Sequence, residues 1–245
     1  MSVFVLKIIA CAAMLIDHFG AAIMLPNLGE PGFGPEIYVL TRSVGRIAFP
    51  IFAYLIAQGC VHTKNIGKYL ARLGLLAIVS EPFFDMAFWG GDINFLRNTN
   101  IFYTLFLGAA TVAILEKARE AFGNGKPLST TIFYGTFIVG ALFAPAMAAY
   151  ALGADYSFIG VGIIFLIYIL RPESRFGRTI ALAIGMAALY SHNINYLMFS
   201  FVAIGLIALY NGKLGTSSPA IKWGFYFFYP AHLAALVAAR MFIFQ

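Results

Sequence analysis

Residues 6–25 read LKIIACAAMLIDHFGAAIML. Twenty nearly unbroken apolar positions are the length of one α-helical crossing of a bilayer. Three ionisable side chains interrupt the run: Lys7 near its start, then the adjacent pair Asp17 and His18. Burying an acid and an imidazole in hydrocarbon is costly unless both find partners. The stretch therefore implies a membrane helix, and its polar pair implies a site.

The rest of the chain agrees. Of 245 residues, 61% are hydrophobic and only 11% charged, and the mean hydropathy is +0.86. A water-soluble domain needs far more polar surface. The apolar runs are continuous rather than alternating, which argues for helices and against a β-barrel. The expected fold is all-α: one polytopic bundle of about nine transmembrane helices, a single domain over 1–245. The net charge of +6 does not mark a nucleic-acid binder, because the cations sit mainly at span ends and form no basic stripe on a soluble face. The two cysteines, Cys11 and Cys60, fall inside predicted spans and suggest no disulfide framework. The first apolar stretch is too long for the core of a signal peptide and reads as an uncleaved span.

Hydropathy and breakers give segments at about 4–25, 44–61, 69–89, 100–116, 130–150, 157–171, 178–192, 194–210 and 223–243. With the N-terminus inside, Lys7, Lys64, Lys68, Arg72, Lys117, Arg119, Lys126, Arg171, Arg175, Arg178, Lys213 and Lys222 lie at the inner face. Arg42, Arg46, Arg97 and Arg240 lie outward, a division of 12 against 4. The positive-inside rule then favours N-in/C-out. Segment 26–43, with Glu30 and Glu36, becomes an outward connection.

Three constellations can carry chemistry. His18 lies about 16 Å beyond Lys7 along a helix and is a candidate general base. Asp17 points about 100° away from it and can orient some other group. Arg46, in SVGRIAFPIFAYLIAQG at 43–59, stands at the outer mouth of the second span. It is either a snorkelling anchor or a bidentate ligand for an anion, within reach of Asp17. In FYFFYPAHLAAL, 225–236, His232 shares a helix face with Tyr229 three residues earlier. Weaker candidates are Glu81 inside the third span, and Asn98 and Asp155 at outer span ends. No HExxH, CxxC pair, GxGxxG or Walker motif occurs, so metal and nucleotide-hydrolysis readings lack support.

LIDHFG at 15–20, VGRIAFPIFAYLIAQG at 44–59, KYLARL at 68–73 with SEPFF at 80–84, and FYFFYPAHL at 225–233 together resemble, in order, the marks of TraX family membrane proteins. The resemblance covers about residues 5–240. It implies a bacterial cytoplasmic-membrane protein, in a family named for conjugation systems in which a member N-acetylates a pilin subunit. The chain is more distantly similar to membrane acyltransferases that O-acetylate polysaccharides. Those begin with an Arg, ten residues and a His, a spacing kept here by Lys7 and His18.

The resemblance implies an acyl-CoA-dependent transferase, with acetyl-CoA or another acyl-CoA as donor. The acceptor would be an amine or hydroxyl of a peptide, glycan or small molecule at the outer face. His18, Asp17 and His232 would be catalytic. Arg46, Tyr229, Glu81, Asn98 and Asp155 would meet the acceptor, while Lys7, Lys64, Lys68 and Arg72 would meet CoA. The alternative is a transporter or channel-like assembly factor whose buried charges form a proton or substrate path.

Overall fold

The computed structural model describes residues 1–122, 128–170 and 174–243, so Lys126 and Arg171, two of the basic residues behind the orientation, lie outside the described residues. Ten α-helices and no strands occur among them. They are α1 (Val3–Phe19), α2 (Pro35–Gly45), α3 (Ala48–His62), α4 (Ile66–Phe88) and α5 (Ile101–Phe122). There follow α6 (Leu128–Ala151), α7 (Ser157–Ile169), α8 (Arg175–Tyr190), α9 (Ile194–Ala208) and α10 (Pro219–Ile243). The result is an all-α, membrane-like bundle. Among the described residues, four stretches are long and apolar enough to cross a membrane: Val3–Asn27, Pro35–His62, Ile101–Ala121 and Pro219–Phe242.

All nine expected segments contain a helix. The departure is α2, which forms where the sequence predicts an outward connection. Gly34 and Pro35 open it; proline suits the first turn because its missing N–H has no helical acceptor there. The chain then runs almost without a break into α3, and the two together form a 28-residue stretch. Pro50 falls in the first turn of α3, where it removes no helical hydrogen bond. Pro82 is taken into the interior of α4.

α1 does not end cleanly. After Phe19 it widens into a π-helical turn, Gly20–Met24, and then tightens into a 3₁₀ turn, Leu25–Asn27. α3 is the central column, packed on α1, α5, α7 and α9. Its sequence is small and apolar, and Phe49, Ile51, Ala53, Tyr54 and Ala57 are all buried. α6 lies to one side, against α5 and α7, and turns Val139, Phe143 and Tyr150 outward.

The helix ends sort into two sets. At the end carrying Met1, the N-terminal ammonium donates to the Leu209 carbonyl at 2.6 Å and the Val3 amide to that of Lys213 at 3.0 Å. Arg178 reaches the Tyr54 hydroxyl at 3.3 Å and the Tyr210 carbonyl at 3.2 Å on the same side. At the far end the α4–α5 connection meets the α6–α7 turn: the Asp155 amide donates to Thr99 at 3.0 Å.

Candidate functional site

Asp17 is buried, and two guanidinium groups hold it. Arg46 Nη2 donates to Oδ1 at 2.7 Å; Arg42 Nη1 reaches Oδ2 at 2.9 Å and the Asp17 carbonyl at 3.3 Å. Arg46 is itself tied down: Nε donates to the Arg42 carbonyl at 3.0 Å and Nη1 to the Tyr156 hydroxyl at 3.4 Å. The Tyr196 ring lies 5.0 Å from its guanidinium carbon, a cation–π distance.

The knot exists because α1 and α2 approach very closely. A Cβ on Gly45 would fall 2.2 Å from Asp17 Oδ1, and one on Gly20 would fall 2.2 Å from Thr41 Oγ1. Only glycine fits at either position. Tyr156 is held toward Arg46 by a backbone at φ 63°, followed by Ser157 at 47°. Two successive left-handed residues with side chains are unfavourable. Stacking of Tyr156 on Phe49, with ring centroids 3.8 Å apart, accompanies that strain.

One residue along α1, His18 turns away from this knot. Its Nδ1 lies 2.7 Å from His232 Nε2, and His232 Nδ1 lies 2.8 Å from the Phe228 carbonyl. A carbonyl only accepts, so His232 Nδ1 carries a proton. In neutral His232 the Nε2 is then an acceptor, and His18 Nδ1 must donate to it. The remaining nitrogen, His18 Nε2, keeps its lone pair. Aromatic rings fix both imidazoles: Phe88 and Tyr229 stand edge-on to His18, at centroid distances of 5.2 and 5.9 Å, and Phe228 stacks on His232 at 5.0 Å.

Below the pair lies a cavity of about 550 Å³. Val3, Lys7, Cys11 and Met14 line it from α1, and Lys222, Phe225, Tyr226 and Tyr229 from α10. The α1 residues recur at three- and four-residue intervals, so they form one stripe. His18 is the next position on that stripe, and His232 is one turn past Tyr229. The histidines therefore lie just beyond the last lining residues of both helices. Lys7 and Lys222 are about 16 Å nearer the Met1 end, at 1.5 Å per residue.

The other candidates are distributed more widely. Glu81 is fully buried, where the Asn100 amide donates to Oε2 at 3.1 Å and the Asn100 side chain donates to the same oxygen. Asn98 sits in the α4–α5 connection at φ 55°, against Gly153. Asp155 has an exposed side chain within electrostatic reach of Arg46, Arg42 and Asp17, and its carbonyl accepts from Thr104. Neither lies on the cavity wall. Lys64 and Lys68 are also exposed and off that wall. Arg72 packs over Tyr69 and Tyr226, two lining residues, at 5.9 and 6.0 Å.

Sequence reasoning missed Arg42, Arg178 and Lys222 as site components. Arg42 is one helical turn before Arg46, a spacing that puts both on one face, and this was the signal available for it. Arg178 is buried, with its guanidinium between the Tyr54 and Tyr210 rings at 5.7 and 5.4 Å.

An apolar exterior around buried ion pairs and imidazoles defines a helical membrane protein, since such groups persist in hydrocarbon only inside a bundle. Within that class this chain belongs to the TraX family, whose description, TraX protein, matches residues 2–240. It is similar to a probable fimbrial assembly protein FimC, serogroup H1, of Dichelobacter nodosus. The two are 29% identical over 261 residues, covering 99% of this chain and 97% of that protein. No solved structure matches it.

Proposed function

We propose that this protein is a multi-pass enzyme of the bacterial cytoplasmic membrane that moves an acyl group, most simply acetyl, from cytoplasmic acyl-CoA to an amine or hydroxyl at the outer face. A pilin subunit is the acceptor that the fimbrial-assembly relative suggests. The single observation that carries the reading is the cavity, with two lysines at one end and the His18–His232 pair just beyond its last lining residues at the other.

The separation of about 16 Å suits an extended pantetheine arm. Lys7 and Lys222 would hold the phosphates with charge-assisted hydrogen bonds, leaving the adenosine outside. The thioester would then lie near His18. His18 Nε2 takes the proton of the attacking amine or hydroxyl, and the resulting imidazolium is stabilised because its Nδ1–H already bonds His232. When the C–S bond breaks, that proton goes to the departing thiolate. Asp17 stays bound to Arg42 and Arg46, so its part is to anchor α1 against α2 beside the acceptor's entry.

Lys222→Glu is expected to raise KM for acyl-CoA about tenfold, the worth of one charge-assisted hydrogen bond, with kcat nearly unchanged. Purified protein that neither binds acyl-CoA nor transfers its acyl group, yet conducts proton-coupled flux, would return the transporter reading.

The orientation is open to a separate check. A cysteine introduced at position 33 should be labelled from outside and one at 213 only from inside. The reverse pattern at both sites would exclude N-in/C-out and, with it, a cytoplasmic donor.

A further inference from the structure

We infer that Tyr229, on α10, is the electrophilic pole of this site: its hydroxyl, packed beside the first turn of α5, holds the carbonyl oxygen of the donor thioester opposite His18. The inference rests on the acyltransferase reading and adds to it a residue that touches the reacting atoms.

Tyr229 is only 2% exposed and lines the cavity at its histidine end. Its hydroxyl is buried, and no hydrogen-bond partner is found for it among the described residues. A buried donor left unpaired is destabilising, by roughly the desolvation cost of the group, and structures seldom retain one without use. The ring stands edge-on to His18, His232 and Phe102 at centroid distances of 5.9, 5.4 and 5.0 Å. It therefore has little freedom to turn elsewhere.

The second component is the start of α5. Ile101 is its first residue and also lines the cavity. The first amides of a helix have no intrahelical acceptor and carry the positive end of its dipole. The next amide, that of Phe102, is bound by the Asn100 side-chain oxygen at 2.9 Å, which fixes this turn in place. The Ile101 backbone amide acts on the Tyr229 hydroxyl oxygen, while the O–H proton has no acceptor among the described residues. A preorganised donor backed by a helix N-terminus is what a developing oxyanion requires.

The step balances as follows. The acceptor's nitrogen or oxygen forms a bond to the thioester carbon as its proton passes to His18 Nε2. The carbonyl π pair moves onto oxygen, where the Tyr229 O–H holds it. Re-forming the carbonyl expels the CoA thiolate, which takes the proton back from His18. The products are the acylated acceptor and the CoA thiol, and Tyr229 is unchanged.

The test is Tyr229→Phe in the full-length protein reconstituted in vesicles, with acetyl-CoA as donor. Loss of one oxyanion donor typically costs about 10²–10³ in kcat, and KM for acetyl-CoA should move little. Removing an unpaired hydroxyl should leave thermal stability equal or higher. As a second readout, carbonyl-labelled acetyl-CoA bound to the His18→Gln protein should show a lowered C=O stretching frequency. Adding Tyr229→Phe should restore the free value. A Tyr229→Phe enzyme with wild-type kcat, or an unshifted carbonyl in the presence of Tyr229, overturns the assignment and leaves the acyltransferase reading standing. A wild-type protein that transfers no acyl group overturns both.

Discussion

His18→Gln is expected to lower the proposed acyl-CoA-dependent transfer by about 10²–10⁴-fold, the usual contribution of a positioned general base. The glutamine amide can still donate to His232 Nε2, so the hydrogen bond between α1 and α10 survives in the variant. What disappears is the basic lone pair on the far side of the ring. Folding, insertion and acyl-CoA binding should accordingly be retained, and the loss should fall on kcat. Single-turnover transfer with excess enzyme makes the measurement, because it isolates the chemical step from product release. Wild-type turnover in the His18→Gln protein would reduce the imidazole pair to a packing contact. His232→Ala should do less harm, since it removes the group that orients His18 and leaves the base itself.

The second large effect is on stability. Asp17→Asn removes the carboxylate that is ion-paired with both Arg42 and Arg46, at 2.9 and 2.7 Å. Breaking a buried pair from one side leaves an uncompensated charge and typically costs about 3–5 kcal/mol. Arg46 is the more buried of the two cations, and its remaining contacts are a carbonyl, a phenol and aromatic faces. Denaturant or thermal unfolding in detergent should show a large loss for Asp17→Asn. The double variant Asp17→Asn/Arg46→Gln should recover part of it, because the orphaned charge is then absent as well. Arg46→Lys should not match wild type, since an ammonium cannot reproduce two guanidinium contacts in fixed directions. Additive losses in the double variant would mean that the two groups are uncoupled, contrary to their geometry.

Both effects concern residues that were legible in the sequence. Asp17, His18, Arg46 and His232 stood out because an ionisable group within an apolar run has to be explained. The contact between Asp17 and Arg46 followed from short connections between consecutive helices. What sequence periodicity does not carry is which far-separated helices touch. The His18–His232 bond joins residues 214 positions apart, and the cavity draws its wall from α1, α3, α4, α5 and α10 together. Lys222 therefore read as one more inner-face cation, alongside Lys64 and Lys68, which face away from the cavity. α2 was hidden for another reason: its glutamate, threonine and arginine dilute the apolar signal of a helix that is only 11 residues long.

The π-helical turn at Gly20–Met24 bears on where the length of this chain can vary. A π-turn holds one residue more than an α-turn of the same rise. The stretch just after His18 thus stores a single surplus residue, and everything beyond it is rotated relative to a regular helix. A one-residue deletion among Ala21–Met24, which keeps Gly20 against Thr41, could be absorbed by relaxation to ordinary helical winding, with the eleven-residue interval from Lys7 to His18 untouched. The same deletion between Lys7 and His18 would swing the imidazole about 100° off the cavity stripe. A one-residue change of length in this chain should therefore be tolerated far better just after His18 than between Lys7 and His18.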